Sequence, residues 1–232
     1  MMPINFFKHI YTPDDALITR ISAPENLRAF VEGFYLFKTQ DLYGRQLFFN
    51  DGYPVITLMQ HRESKMLINT DSNKINIGNA WVCGGMLKNI YCESSINAEA
   101  FFVIRFNPIT FFKLFNINEN VFKHKPVFDL AEIIPDDFCV FNSDFYSEPS
   151  VKHKVKTATN FLSQRICAAA FPDLLVELIQ RIEHGRGLTV KALAKACGVR
   201  LNYKWLERNF KKHTGLSPKN YLSLRRFLNA YC

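Results

Sequence analysis

Up to Phe106 the apolar residues of this chain come in short runs, and beyond Asn107 they recur every three or four positions. This change of period constrains the fold more than any other feature. The runs at 30–37, 46–49, 55–60, 66–68, 80–83, 89–92 and 98–106 are rich in Val, Ile, Phe and Tyr. Asn50-Asp51-Gly52, Asp71-Ser72-Asn73 and Gly84-Gly85 are turn-formers that separate some of them. Many short strands with such turns predict an antiparallel barrel or sandwich rather than a parallel sheet. Next, Asn107-Pro108 supplies a cap and a first-turn proline for a helix with a stripe of Phe111, Leu114 and Phe115. A short helix is expected at 119–124, and the Asp-, Asn-, Ser- and Pro-rich stretch at 136–150 reads as a linker. Beyond it Val155, Ala158, Leu162 and Ile166 have helical spacing, and Phe171-Pro172-Asp173 end that helix and start another. The predicted class is α+β: an N-terminal antiparallel barrel- or sandwich-like domain over 1–135, the linker, and an all-α domain over 151–232.

Charge divides the chain at nearly the same place. Between Arg181 and Cys232 stand twelve Lys or Arg against Glu183 and Glu207, a net of +10, while residues 1–180 carry 17 basic and 19 acidic residues. The whole formal excess of +8 therefore lies in the last fifty residues. A small basic module joined to a near-neutral domain has a polyanion as its expected partner.

Other classes find little support. Six cysteines (Cys83, Cys92, Cys139, Cys167, Cys197, Cys232) are scattered without a C-x-x-C pair, and the six histidines lack chelating spacing, so free thiols and no metal are expected. No Ser/His/Asp or Cys/His constellation and no glycine-rich phosphate loop is present, so neither enzyme activity nor a cofactor is expected. The 22 phenylalanines are dispersed, as core residues are. No apolar run approaches the roughly 18 residues of a membrane span, and 1–10 lacks the order of a signal peptide, so a cytoplasmic protein without a membrane partner is expected.

Within the basic segment, Val190, Leu193, Ala194 and Cys197 share one face of a short helix that Gly198 is placed to end. A second helix runs from an Asn202 cap to His213, with Leu206 and Phe210 facing inward and Gly215 ending it. Ser217-Pro218 starts a third, whose inward residues are Tyr221, Leu222 and Leu224 or Phe227. Helix-turn-helix spacing thus covers about 188–215. Lys204, Glu207, Arg208, Lys211 and Lys212 are left on the outer face of the second helix. A lysine-rich face is often only a solvated one, but the local charge and the spacing favour double-stranded DNA. Lysines and arginines meet phosphates, Arg208 suits a guanine edge, and Glu207 suits a cytosine amino group.

The pattern L-A-x-x-x-G-V followed by L-E-R-x-F-K-K-x-x-G-L-S-P-K-x-Y-L-x-x-R, from Leu193 to Arg225, resembles the AraC/XylS family of bacterial transcription regulators. In that family two helix-turn-helix units joined by a long helix read adjacent major-groove segments. The resemblance implies base-reading positions at Lys204, Glu207 and Arg208, phosphate positions at Lys211 and Lys212, and a partial joining helix at 217–232. Two features depart from the pattern. Arg200-Leu201 intervene before the Asn202 cap, so the turn is two residues longer, and the sequence ends inside the joining helix, before a second unit.

Segments at 24–35 (PENLRAFVEGFY), 49–58 (FNDGYPVITL), 82–85 (VCGG) and 103–115 (VIRFNPITFFKLF) are similar to the β-rich domain that precedes such helices in many bacterial regulators. The resemblance implies ligand sensing or self-association, with a small-molecule effector or a homodimer as further partners. Arg45, Tyr53, Trp81 and Arg105 either line a pocket or are ordinary core and rim residues, and the ordinary reading is favoured. Two rival readings stay open: a small-molecule-binding β-barrel with a structural helical tail, and a truncated regulator without DNA binding.

Overall fold

A computed structural model describes residues 2–4, 6–10, 17–38, 44–70, 73–94, 100–166, 173–185, 188–196 and 203–232. The N-terminal elements are β1 (Met2–Pro3), α1 (Phe6–Ile10), β2 (Ile18–Ser22), a 3-10 turn (Glu25–Leu27), β3 (Val31–Lys38), β4 (Gly44–Phe49) and β5 (Val55–Met59). They continue as β6 (Met66–Asn69), β7 (Lys74–Ile77), β8 (Ala80–Cys83), β9 (Ile90–Ser94) and β10 (Ala100–Phe106). Then come α2 (Phe111–Leu114), α3 (Val121–His124), β11 (Val127–Asp129), α4 (Leu130–Ile133), α5 (Pro135–Phe145) and α6 (Val151–Ser163). The last four are α7 (Asp173–His184), α8 (Val190–Ala196), α9 (Tyr203–Thr214) and α10 (Pro218–Tyr231).

The strands form two antiparallel sheets, ordered β1-β4-β9-β6-β7 and β11-β8-β5-β10-β3-β2. Neither sheet closes on itself, so the barrel alternative gives way to two open sheets. Period-two alternation sorts their side chains. Tyr35, Phe37, Val55, Met59, Trp81, Phe101 and Val103 of the larger sheet share one cluster with Phe48, Met66, Ile68, Ile90 and Cys92 of the smaller. Phe34, Ile56, Leu58, Val82, Phe102 and Ile104 turn the other way, into a second cluster with α2, α4, α5 and α6.

The larger sheet carries an irregularity in β3. Arg105 pairs with Gly33 but Phe106 pairs with Val31, so Glu32 is an extra residue in that strand. Such a bulge shifts the alternation by one. Val31 accordingly joins the helix-side cluster although Tyr35 and Phe37, of the same parity, face the other sheet.

The stretch 136–150 differs from its reading as a linker, because α5 occupies Pro135–Phe145. Proline in the first turn and Asp136 and Asp137 beside it suit a helix N-terminus as well as they suit a loop. Phe141 and Phe145, one turn apart, are buried. Ala158, Phe161 and Leu162 of α6 belong to that same sheet-covering cluster, so α5 and α6 pack with the β-rich part. A third cluster joins α7 to α8, α9 and α10. Cys167 and Phe171-Pro172, expected to end one helix and start the next, lie outside the described residues. Among the described residues no helix is long and apolar enough to cross a membrane.

Candidate nucleic-acid interface

Four helices build the basic region around one apolar core. α7 turns Leu175, Leu178, Ile179 and Ile182 inward, α8 adds Leu193, α9 adds Leu206 and Phe210, and α10 adds Tyr221, Leu222 and Leu224. Leu224 is the inward residue of the expected pair, while Phe227 is 42% exposed with its ring 5.2 Å from that of Phe49. Thr189 caps α8 by accepting from the Ala192 N–H at 3.1 Å, and Ser217 caps α10 by accepting from Asn220 at 3.2 Å. α9 ends where Gly215 adopts φ +71°, a left-handed conformation suited to glycine. The buried Thr214 hydroxyl donates to the Phe210 carbonyl at 2.7 Å and accepts from Leu216 N–H at 3.1 Å, closing that turn. Arg226 donates to the Leu188 carbonyl at 2.9 Å, tying α10 to the start of α8.

With Leu206 and Phe210 inward, Lys204, Arg208 and Lys211 are exposed and Glu207 is half-buried. Their spacing of three and four places them on one stripe of α9. Lys211 Nζ lies 2.8 Å from Glu207 Oε1. Lys212, four residues after Arg208 and also exposed, flanks the stripe and lines a cleft with Lys113 of α2 and His213. There burial, Lys212 and Lys113 push the His213 pKa below its ordinary value, against the opposing pull of Glu119. Asn202, Gly198 and the inserted Arg200-Leu201 lie outside the described residues, as does Cys197.

The basic helices lean on the β-rich part through a polar chain that sequence reasoning missed. Tyr53 and Tyr221 both donate to Glu183 Oε1, at 2.5 and 3.0 Å. Burial pushes both phenols well above their ordinary pKa, so both remain donors. The Arg105 guanidinium stands 3.8 Å from the Tyr53 ring centroid, pairs with buried Asp51, and reaches Glu32 at 3.1 Å. Burial alone would raise the Glu32 pKa, but Arg105, the Tyr35 hydroxyl and Arg20 hold it below the ordinary range. The bulge gives Glu32 its place in this group. Gly52, at φ +100°, lets the chain pass so close to Tyr221 that a Cβ there would stand 3.0 Å from the ring. No local pattern signals partners 130 residues apart, as Tyr53 and Glu183 are.

The other candidates raised for the β-rich part divide differently. Trp81 is fully buried in the core between the sheets, and Arg45 stacks 4.0 Å over the Tyr91 ring. A cavity of 580 Å³ between the six-stranded sheet and α5–α6 includes none of Arg45, Tyr53, Trp81 and Arg105. It is lined instead by Lys154, which sequence reasoning also missed. The available signal was its position on the apolar stripe of α6, three residues after Val151 and four before Ala158.

No family model and no curated protein matches the chain. Among solved structures it is similar to the AraC-like transcriptional activator CuxR, at 14% identity and a TM-score of 0.29 over 93% of this chain and 87% of that one. It is similar also to ToxT from Vibrio cholerae, at 12% identity and a TM-score of 0.24 over 89% of this chain and 97% of that one. A further structure of ToxT, bound to (E)-4-(8-methylnaphthalen-1-yl)but-3-enoic acid, gives 11% identity and a TM-score of 0.24, over 90% and 97%.

Proposed function

We propose that this chain is a DNA-binding transcription regulator of the AraC-like kind, with α9 as the helix that enters the major groove and the β-rich part as a sensing or self-associating domain. The observation that carries the reading is the stripe of Lys204, Glu207, Arg208 and Lys211 along α9, opposite a face buried by Leu206 and Phe210. A cationic helix face held rigid from behind can present side chains to base edges, and the neighbouring lysines and arginines add phosphate contacts. Segregation of +10 into the last fifty residues supports the same reading, because a solvated face elsewhere on the chain would need no such excess.

Arg208→Glu tests it. The substitution keeps an exposed, helix-compatible residue and reverses one charge at the centre of the stripe. In a gel-shift titration with a pool of duplexes the wild type is expected to retard DNA and Arg208→Glu to lose at least tenfold in affinity, while Lys74→Glu, on the exposed edge strand β7, leaves binding unchanged. Equal loss from both substitutions, or from neither, contradicts the assignment of α9.

A further inference from the structure

The 580 Å³ cavity on the helix side of the six-stranded sheet falls within the size range of small-ligand sites. Its wall carries one charge in an unusual setting. Lys154, in the first turns of α6, is only 7% exposed. Among the described residues no carboxylate lies within ion-pair distance of its amine. Instead the amine stands 5.4 Å from the Phe145 ring and 5.8 Å from the Tyr146 ring. Ring faces attract a cation but neutralise nothing, so the charge is stabilised without being matched. Burial lowers the Lys154 pKa, the mark of an ammonium held away from water.

The rest of the lining sorts by chemistry. His61 and Arg62 are exposed at the rim and add positive potential. Glu148, the one acid among the described lining residues, is 63% exposed and lies 3.9 Å from His153 Nδ1. Leu36 and Phe102 provide an apolar floor from two adjacent strands, β3 and β10. A buried cation beside an apolar floor, under a basic rim, fits a ligand with one acid group and a hydrophobic body.

We propose that this cavity binds an apolar monoanion, a carboxylate or sulfonate on a hydrophobic skeleton, with its acid group on the Lys154 amine and its body against Leu36 and Phe102. The site lies outside the core between the two sheets, on the face covered by α5 and α6. A ligand of this class deepens the sensing role proposed for the β-rich part, and rests on that reading. The ligand's charge replaces the missing counterion, so discrimination should rest on the acid group more than on the skeleton.

The test is a titration without DNA. The intact chain is titrated with 8-anilinonaphthalene-1-sulfonate, followed by its fluorescence, and the dye is then displaced with biphenyl-4-carboxylate or with the uncharged biphenyl-4-carboxamide. One site per chain is expected, with displacement by the acid at least tenfold better than by the amide. Lys154→Gln should weaken the acid at least tenfold and leave the amide unchanged, and Lys154→Arg should retain most of the acid's affinity. Should Lys154→Gln fail to fold, Lys154→Met, which keeps the apolar stem against the rings, serves for the same comparison. Acid and amide competing equally on the wild type, or acid affinity indifferent to Lys154, overturns the proposal. Failure here leaves DNA binding standing, and failure to bind DNA leaves this titration unaffected.

Discussion

At the scale of single residues, the polar contacts that join the two parts of the molecule sit where loss is costly. Glu183 accepts from two hydroxyls whose tyrosines are almost fully buried. A hydroxyl deprived of its acceptor in such a place costs about 1–3 kcal/mol. Glu183→Ala should therefore destabilise the protein more than Tyr53→Phe or Tyr221→Phe alone, each of which leaves Glu183 one donor. Urea unfolding of the three variants measures the order, and equal effects would mean that the hydroxyls do not depend on Glu183. Arg105 poses a sharper case, because Asp51 is 1% exposed. Taking a guanidinium from a buried carboxylate costs about 3–5 kcal/mol, and Arg105→Met is expected to lose stability in that range. A loss under about 1 kcal/mol by the same measurement would mean that the pair contributes little. None of this was legible in the sequence. Asn50-Asp51-Gly52 reads correctly as a turn, but a turn motif does not disclose that its aspartate faces an arginine from β10 or that its glycine makes room for a tyrosine on α10.

At the scale of elements, the sequence pattern served well both in short apolar runs and where a helix has one face buried and the other wet. The runs at 80–83 and 66–68 emerge as β8 and β6 within a residue, and Leu206 and Phe210 of α9 are buried as their spacing of four requires. Leu206→Ala or Phe210→Ala should each cost about 2–5 kcal/mol and release helical signal from the C-terminal group at lower temperature. A melt unchanged in both variants would contradict the packing of α9. Periodicity failed where composition was ambiguous. The polar stretch after Pro135 carries loop-forming residues that are equally helix-starting residues, and only Phe141 and Phe145 at a separation of four betray α5. Strands β2, β7 and β11 were missed because their short, mixed runs pack at sheet edges or against covering helices, without a clean alternation. The contact of α2 with α9 has its own dependence on pH. His213 has a lowered pKa in the fold, so the unfolded chain binds its proton more readily, and stability present above about pH 6.5 is lost as pH falls from there toward the folded pKa. Lys113, Lys212 and Glu119 face the same cleft, and His213→Gln should flatten this part of the stability profile between pH 7 and 5. An unchanged slope in that variant would place the acid sensitivity elsewhere.

At the scale of the whole molecule, two open sheets share one core, a layer of helices covers the larger sheet, and four basic helices are docked against that assembly through Tyr53, Glu183 and Tyr221. The charge boundary near residue 180 was legible because it is a property of composition, whereas the docking was not, because it rests on residues far apart in sequence. This arrangement leaves the α9 stripe exposed while fixing α9 from behind, and the central claim is that the stripe meets DNA. A single helix-turn-helix makes about four to six phosphate contacts, so the binding constant should fall with salt at a log–log slope of about −4 to −5. Affinity on the order of micromolar or weaker is expected at physiological salt, with little sequence preference. Lys211 pairs with Glu207 at the surface, a contact worth little, so the lysine remains able to meet a phosphate. The decisive measurement is fluorescence anisotropy of labelled duplexes of unrelated sequence, titrated at several salt concentrations with the wild type, Lys211→Ala and Arg208→Ala. Lys211→Ala is predicted to weaken binding to every duplex and to lower the slope by about one, while Arg208→Ala removes whatever preference among duplexes exists. Binding that ignores salt, or that neither substitution alters, would contradict DNA recognition by α9.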